Sequence, residues 1–108
     1  MNRFRNWNAA LFLMFLAAGT PALAESDIQG TYVSKCQPCH GATGAGDTVM
    51  GKKFGAASFG SQDVVKAPDA ELLAVLKNGK GKMPPWANKL TEAQLKDLVA
   101  YVRTLGAK

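Results

Sequence analysis

The sequence predicts a small all-α domain, three to five short helices wrapped around a bulky group that is not itself polypeptide. Three observations lead there. Apolar residues recur at helical spacing in three segments, and no run alternates in the manner of a strand. Between the first two segments lies "GATGAGDTVMGKKFGAASFGSQ", with six glycines in 22 residues. A structureless loop of that length is unusual in a compact domain, and its glycine density suits a chain lying close against something large. Finally, short helices and glycine loops at this size do not easily bury a self-sufficient core.

The N-terminus stands apart from the fold. "MNRFRNWN" carries Arg3 and Arg5 and no acid, "AALFLMFLAA" is a short apolar run, and "GTPALA" closes on the small-x-small triplet Ala22-Leu23-Ala24. This is the pattern of a secretory signal peptide, expected to be residues 1–24, with residues 25–108 forming one domain. The apolar run is too short for a membrane span, which needs about 20 residues, so no stable membrane insertion is expected after cleavage. Export implies an oxidising compartment, the periplasm in a Gram-negative cell. Losing Arg3 and Arg5 takes the formal charge from +5 to +3, because all eight acids follow Ala24. Ten lysines against the single Arg103 argue against nucleic acid, where forked arginine contacts are common.

The first helix is expected over Asp27 to Gln37, where Ile28, Tyr32 and Cys36 share one face and Ser26 or Asp27 stands at the start. Gly30 weakens it. The second is expected over Pro68 to Asn78, with a proline and the acids Asp69 and Glu71 in its first turn, an apolar face of Leu72, Leu73, Val75 and Leu76, and Gly79 after its end. The third runs from Glu92 to Leu105. Thr91 and Gln94 form a capping-box pair ahead of Leu95, Leu98, Val99, Val102 and Leu105, and Gly106 is a natural stop.

The chemistry concentrates in "KCQPCHG", which holds Cys36, Cys39 and His40, the only cysteines and the only histidine of the chain. A disulfide here closes a tiny loop and stabilises little. A redox dithiol of the thioredoxin kind belongs beside a βαβ pattern, and a tetrahedral zinc site needs four ligands. Both requirements are unmet. C-x-x-C-H is instead the pattern of c-type haem attachment. Two thiols three residues apart reach the two vinyl groups on one edge of a porphyrin and form thioethers, and the next residue, His40, projects to the iron as its proximal ligand. One covalent haem also supplies the core that the polypeptide lacks. Phe54, Phe59, Leu72, Leu76, Trp86, Leu90 and Leu98 are the expected pocket residues.

For the other axial position there is no second histidine, leaving Met50 and Met83 in the mature chain. Ten extended residues span about 33 Å, so reach does not exclude Met50. Context favours Met83, in "NGKGKMPPW", where Pro84 and Pro85 restrict the adjoining backbone. A methionine–histidine pair raises the reduction potential relative to two histidines.

With "KCQPCHG", "VLKNGKGKMPPW" and the final "LTEAQLKDLVAYVRTL" in this order, the chain resembles the class I c-type cytochromes of the small soluble bacterial monohaem kind. The resemblance covers nearly all of residues 25–108. It implies a cytochrome c fold, thioethers at Cys36 and Cys39, axial bonds from His40 and Met83, and a crossing of first and last helices with Tyr32 against Leu98, Tyr101 and Val102. Two departures stand out. Ile28 occupies a crossing position that is often small in the family, and no proline follows the haem motif before Pro68 to accept a hydrogen bond from His40. The implied function is periplasmic one-electron transfer, not enzymatic catalysis, by a monomer that meets acidic redox partner proteins. Lys52, Lys53, Lys77, Lys80, Lys82 and Lys89 would form the basic docking surface. The alternatives are a dedicated cytochrome subunit of a periplasmic oxidoreductase, and a gas-binding haem module if Met83 does not hold the iron.

Overall fold

The computed structural model describes residues 23–108, so that all but the last two residues of the expected signal peptide lie outside the described residues. Six helices follow in order: α1 (Leu23–Lys35), α2 (Gln37–His40), α3 (Val49–Phe54), α4 (Gln62–Lys66), α5 (Asp69–Asn78) and α6 (Glu92–Gly106). Among the described residues the only extended pairing is an isolated bridge between Lys80 and Met83. The all-α expectation holds, with one helix beyond the expected five because the Cys-x-x-Cys-His turn closes as a helix of its own. No helix of the described residues is long and apolar enough to cross a membrane.

The three periodic segments became α1, α5 and α6. α6 follows its sequence signals closely. Thr91 Oγ1 accepts from the Gln94 amide at 3.1 Å, and Gln94 Oε1 accepts from the Thr91 amide at 2.8 Å, which completes the capping box. Gly106 is the last helical residue, not the stop, and Ala107 takes the cap. α1 begins at Leu23, so neither Ser26 nor Asp27 stands at its start.

α3 and α4 form inside the segment that reads as an unstructured glycine loop. Neither buries an apolar stripe: Val49, Met50 and Phe54 of α3 and Val65 of α4 are exposed. α3 is made by its ends instead. Thr48 Oγ1 accepts from the Gly51 amide at 2.8 Å, and Gly55 closes the helix in the left-handed region. The close approaches of this loop's glycines are to the protein itself, to Phe59 and to the carbonyls of Cys39, Ala56 and Ala57.

The core lies where α1, α5 and α6 meet. Ile28, Tyr32, Phe59, Leu76, Leu95, Leu98 and Val99 form one buried cluster. Tyr32 is its pivot, with its ring 5.1 Å from Tyr101 and 6.3 Å from Phe59, both tilted, and its hydroxyl donating to the Gly41 carbonyl at 2.6 Å. Ile28 is buried in the crossing, whereas a side chain at Gly30 would meet open space, so this chain makes the contact with a large residue.

Arg103 contributes a second tie that its sequence context did not announce. From α6 its guanidinium donates to the carbonyls of Val64, Val65 and Ala67 and twice to Asp69 Oδ1. It thereby fastens the α4–α5 corner to the last helix with all five of its N–H groups.

Two outcomes follow. Arg103→Lys keeps the charge but not the fork, and is expected to cost about 1–3 kcal/mol in denaturant unfolding of the holoprotein. Burial, with the nearby Cys36 and Tyr101 adding to it, pushes the Tyr32 phenol up from 10.0 to about 12. The phenol therefore binds its proton more tightly folded than unfolded. Its contribution is complete below about pH 10 and is lost as pH rises toward 12. The stability gap between wild type and Tyr32→Phe, about 1–3 kcal/mol at neutral pH, should narrow across that window in thermal melts.

Candidate haem site

Cys36 through Gly41 form a tight backbone turn. The amides of Cys39 and His40 both donate to the Cys36 carbonyl, at 3.2 and 2.9 Å, and Gly41 donates to Gln37 at 2.8 Å. Pro38 occupies the first turn of α2, where a missing N–H costs nothing. This geometry puts Cys36 and Cys39 on one side of a turn with His40 next to them. Thr48 supports the turn from outside, its hydroxyl reaching the carbonyls of Pro38 at 2.8 Å and Cys39 at 3.0 Å. Both cysteines are half-buried and not paired in a disulfide. Among the described residues no group of three or more His, Cys, Asp or Glu side chains is placed to hold a metal ion.

His40 Nδ1 lies 2.9 Å from the Ala57 carbonyl. A carbonyl only accepts, so Nδ1 carries the proton and Nε2 is left with its lone pair free to coordinate. Ala57 is thus the acceptor that could not be identified from sequence: a non-proline residue supplies the carbonyl. Burial pushes the His40 imidazole below its ordinary value, partly opposed by the Ala57 hydrogen bond. The net lowering favours the neutral ring that a metal requires. Burial likewise raises the Cys36 thiol to about 11 against the opposing charge of Lys35, and Cys39 adds to the rise.

Met83 reaches the same cleft by a different route. Gly79 ends α5 at φ 78°, and the chain doubles back so that Lys80 and Met83 exchange backbone hydrogen bonds of 3.0 and 2.9 Å. The amides of Trp86 and Ala87 then donate to Leu76 and Lys77, two carbonyls that the end of α5 leaves without helical partners. The Met83 loop is therefore fastened to the helix it follows.

His40, Cys36 and Met83 all line one apolar cleft with about 600 Å³ of non-atom space, part of it open to solvent. Phe59, Leu72, Leu76 and Leu98 line it as expected, joined by Ala57, Val64, Val75, Val99 and Val102. Phe54, Trp86 and Leu90 do not line it. Phe54 is exposed on α3, and the other two pack against the core cluster. Val75 and Val102 had a signal in the helical faces of α5 and α6; Val64 and Ala57 had none, being placed by the folding of the glycine-rich segment. Met50 is 47% exposed on α3, away from the cleft. Cys39 lies in the attachment turn without lining the cleft.

These residues fit a covalent haem. The cleft wall is apolar, an imidazole nitrogen and a thioether sulfur are the donors on it, and two thiols stand in one helical turn beside the imidazole. Cys36 and Cys39 would hold the ring's edge, and His40 and Met83 its iron.

A family described as cytochrome c oxidase, cbb3-type, subunit III matches residues 24–102. Subunit CcoP of the cbb3-type cytochrome c oxidase of Azospirillum brasilense is 30% identical over 98% of this chain, which spans 37% of that protein's length. Cytochrome c6 of Thermostichus vulcanus is 32% identical, covering 98% of this chain and 94% of the relative. For cytochrome c6 of Thermosynechococcus vestitus the identity is 31%, with 92% and 88% covered. A solved c-type cytochrome, KustC0563, superposes with a TM-score of 0.64 at 31% identity, over 70% of this chain and 93% of its own.

The Met83 loop supplies a test. A Cβ at Gly79 would fall 2.6 Å from the Met83 carbonyl and about 3 Å from the Pro84–Pro85 backbone, whereas at Gly81 it would meet open space. Gly79→Ala should lower holoprotein stability by about 1–3 kcal/mol. Gly81→Ala should cost visibly less in the same thermal melts.

Proposed function

The chain belongs to the class I c-type cytochromes, and from that premise we propose that it is a periplasmic one-electron carrier with His40 and Met83 as the axial ligands of its haem. It is a c-type haem electron-transfer protein, and the family's haem c is covalently attached. When bound, the haem supplies one-electron exchange between ferric and ferrous iron. In this reading Cys36 and Cys39 carry the thioethers, His40 and Met83 ligate the iron, the chain is exported with cleavage after Ala24, and the monomer docks transiently to acidic partner proteins. The observation that carries the ligation is the convergence of His40 and Met83 on one apolar cleft.

Each residue has a defined task in this reading. The Ala57 carbonyl holds the His40 tautomer and makes the ring a stronger donor. The Lys80–Met83 pairing holds the Met83 backbone with little entropy left to lose on ligation. The aliphatic wall would keep water from the haem, and with His40 and Met83 both holding its iron no coordination position would remain for a substrate. Lys52 and Lys53 ride on α3, the helix that Thr48 fastens to the attachment turn, and they suit docking close to the haem edge. Of the remaining four lysines of the proposed ring, Lys77 is engaged by Glu92 at 2.7 Å.

A second reading also has an observation behind it. The matching family is named for an oxidase subunit, and this chain spans about a third of the CcoP relative. On that reading the domain feeds one enzyme as its dedicated cytochrome. The near end-to-end match to cytochrome c6 favours the free carrier.

The deciding experiment is the long-wavelength absorption spectrum of the oxidised holoprotein. A weak charge-transfer band from methionine sulfur to ferric iron is expected, absent in Met83→Ala and retained in Met50→Ala. A high-spin wild-type spectrum without the band would transfer the argument to a gas-binding module.

A further inference from the structure

We propose that Phe59 is a positioning residue for His40, and that the end of the last helix builds its seat. This rests on the reading of His40 as the iron's proximal ligand and goes beyond it, because the residues that seat the ring lie outside the haem motif. The rings of Phe59 and His40 are stacked with centroids 4.5 Å apart and planes 25° from parallel. Phe59 is only 8% exposed and belongs to the buried core cluster, so the half-buried His40 stacks on a plate fixed in the core.

The imidazole is held in two directions by one short segment. Ala57 accepts from its Nδ1 at the ring edge, and Phe59, two residues on, covers its face. A hydrogen bond alone tolerates rocking of the ring about the bond; a plate against the face opposes it. The Nδ1–H···O contact is itself exposed, so its opening is limited by how far the ring can turn, and the plate restricts that turning. Outer partners of a metal-bound histidine fix its orientation and tune the metal.

What fixes Phe59 comes from two distant places. Its amide donates to the Gly44 carbonyl at 2.8 Å. A Cβ at Gly44 would fall 2.5 Å from the Phe59 ring, and one at Gly106 would collide with the Phe59 backbone carbonyl. Tyr32 approaches the ring edge-on from a third side at 6.3 Å. Glycine at the final turn of α6 is thus required by close approach to Phe59. A change at residue 106 should be felt at His40, although the two residues are not in contact.

The test uses the haem-loaded protein and three variants. Phe59→Leu removes the plate, Gly106→Ala displaces it from a distance, and Phe59→Tyr keeps the ring. Two signals are read by NMR: exchange of the His40 Nδ1 proton in the reduced form, and the pattern of shifted haem-methyl protons in the oxidised form. In Phe59→Leu and Gly106→Ala exchange is expected to quicken by about tenfold, the equivalent of one hydrogen bond's protection, and the methyl pattern to change in the same sense. Phe59→Tyr should keep the wild-type pattern. Wild-type exchange and methyl pattern in Phe59→Leu, or in Gly106→Ala if the leucine variant does not fold, overturn the proposal while leaving His40 ligation in place. A wild type without histidine ligation takes both readings down together.

Discussion

The hydrogen bond from Tyr32 to the Gly41 carbonyl joins the two halves of this molecule. On one side the Tyr32 ring is locked in the crossing of α1 and α6. On the other, its hydroxyl fixes the residue directly after His40. The attachment turn is therefore referenced to the core. Its neighbours add to that tether: α1 leads into α2 through the single residue Cys36, and Thr48 clamps the turn's carbonyls from outside. A phenol buried this deeply without a partner would be costly. Satisfied, it specifies one arrangement.

The two sides of the cleft are built on different principles. On the His40 side the chain uses a short irregular segment, residues 56–59, to place one carbonyl and one aromatic ring. On the Met83 side it uses the carbonyls that the end of α5 cannot satisfy within the helix, returning the backbone to them through Trp86 and Ala87. In both cases backbone hydrogen bonds carry the positioning, and few side chains take part. Such a design keeps the donor atoms in place without lining the cleft with polar groups, which would conflict with an apolar porphyrin.

Arg103 shows how a small domain stiffens a region without core to spare. α4 is five residues long and buries no residue. By itself it has little reason to stay in register with α5. The guanidinium of Arg103 gathers three carbonyls of that corner and the first residue of α5 onto α6, and Val64 is thereby held on the cleft wall. Arg103, the lone arginine of residues 25–108, is engaged in these structural contacts.

Covalent spacing and helical periodicity are local properties, and everything that depends on them was legible in the sequence. The Cys36–Cys39–His40 motif, the α5 and α6 faces, the Thr91–Gln94 box, the glycine–proline context of Met83 and the all-α class were read without coordinates. The family likeness followed from their order. Only the tertiary structure could name Ala57 as the partner of His40, place Phe59 on the imidazole, turn part of the glycine loop into α3 and α4, and assign Arg103 its five contacts. Those features join residues between 17 and 39 positions apart, or rest on end caps where no apolar stripe exists. No local pattern marks which distant carbonyl a donor will meet, because that pairing is set by how the helices cross.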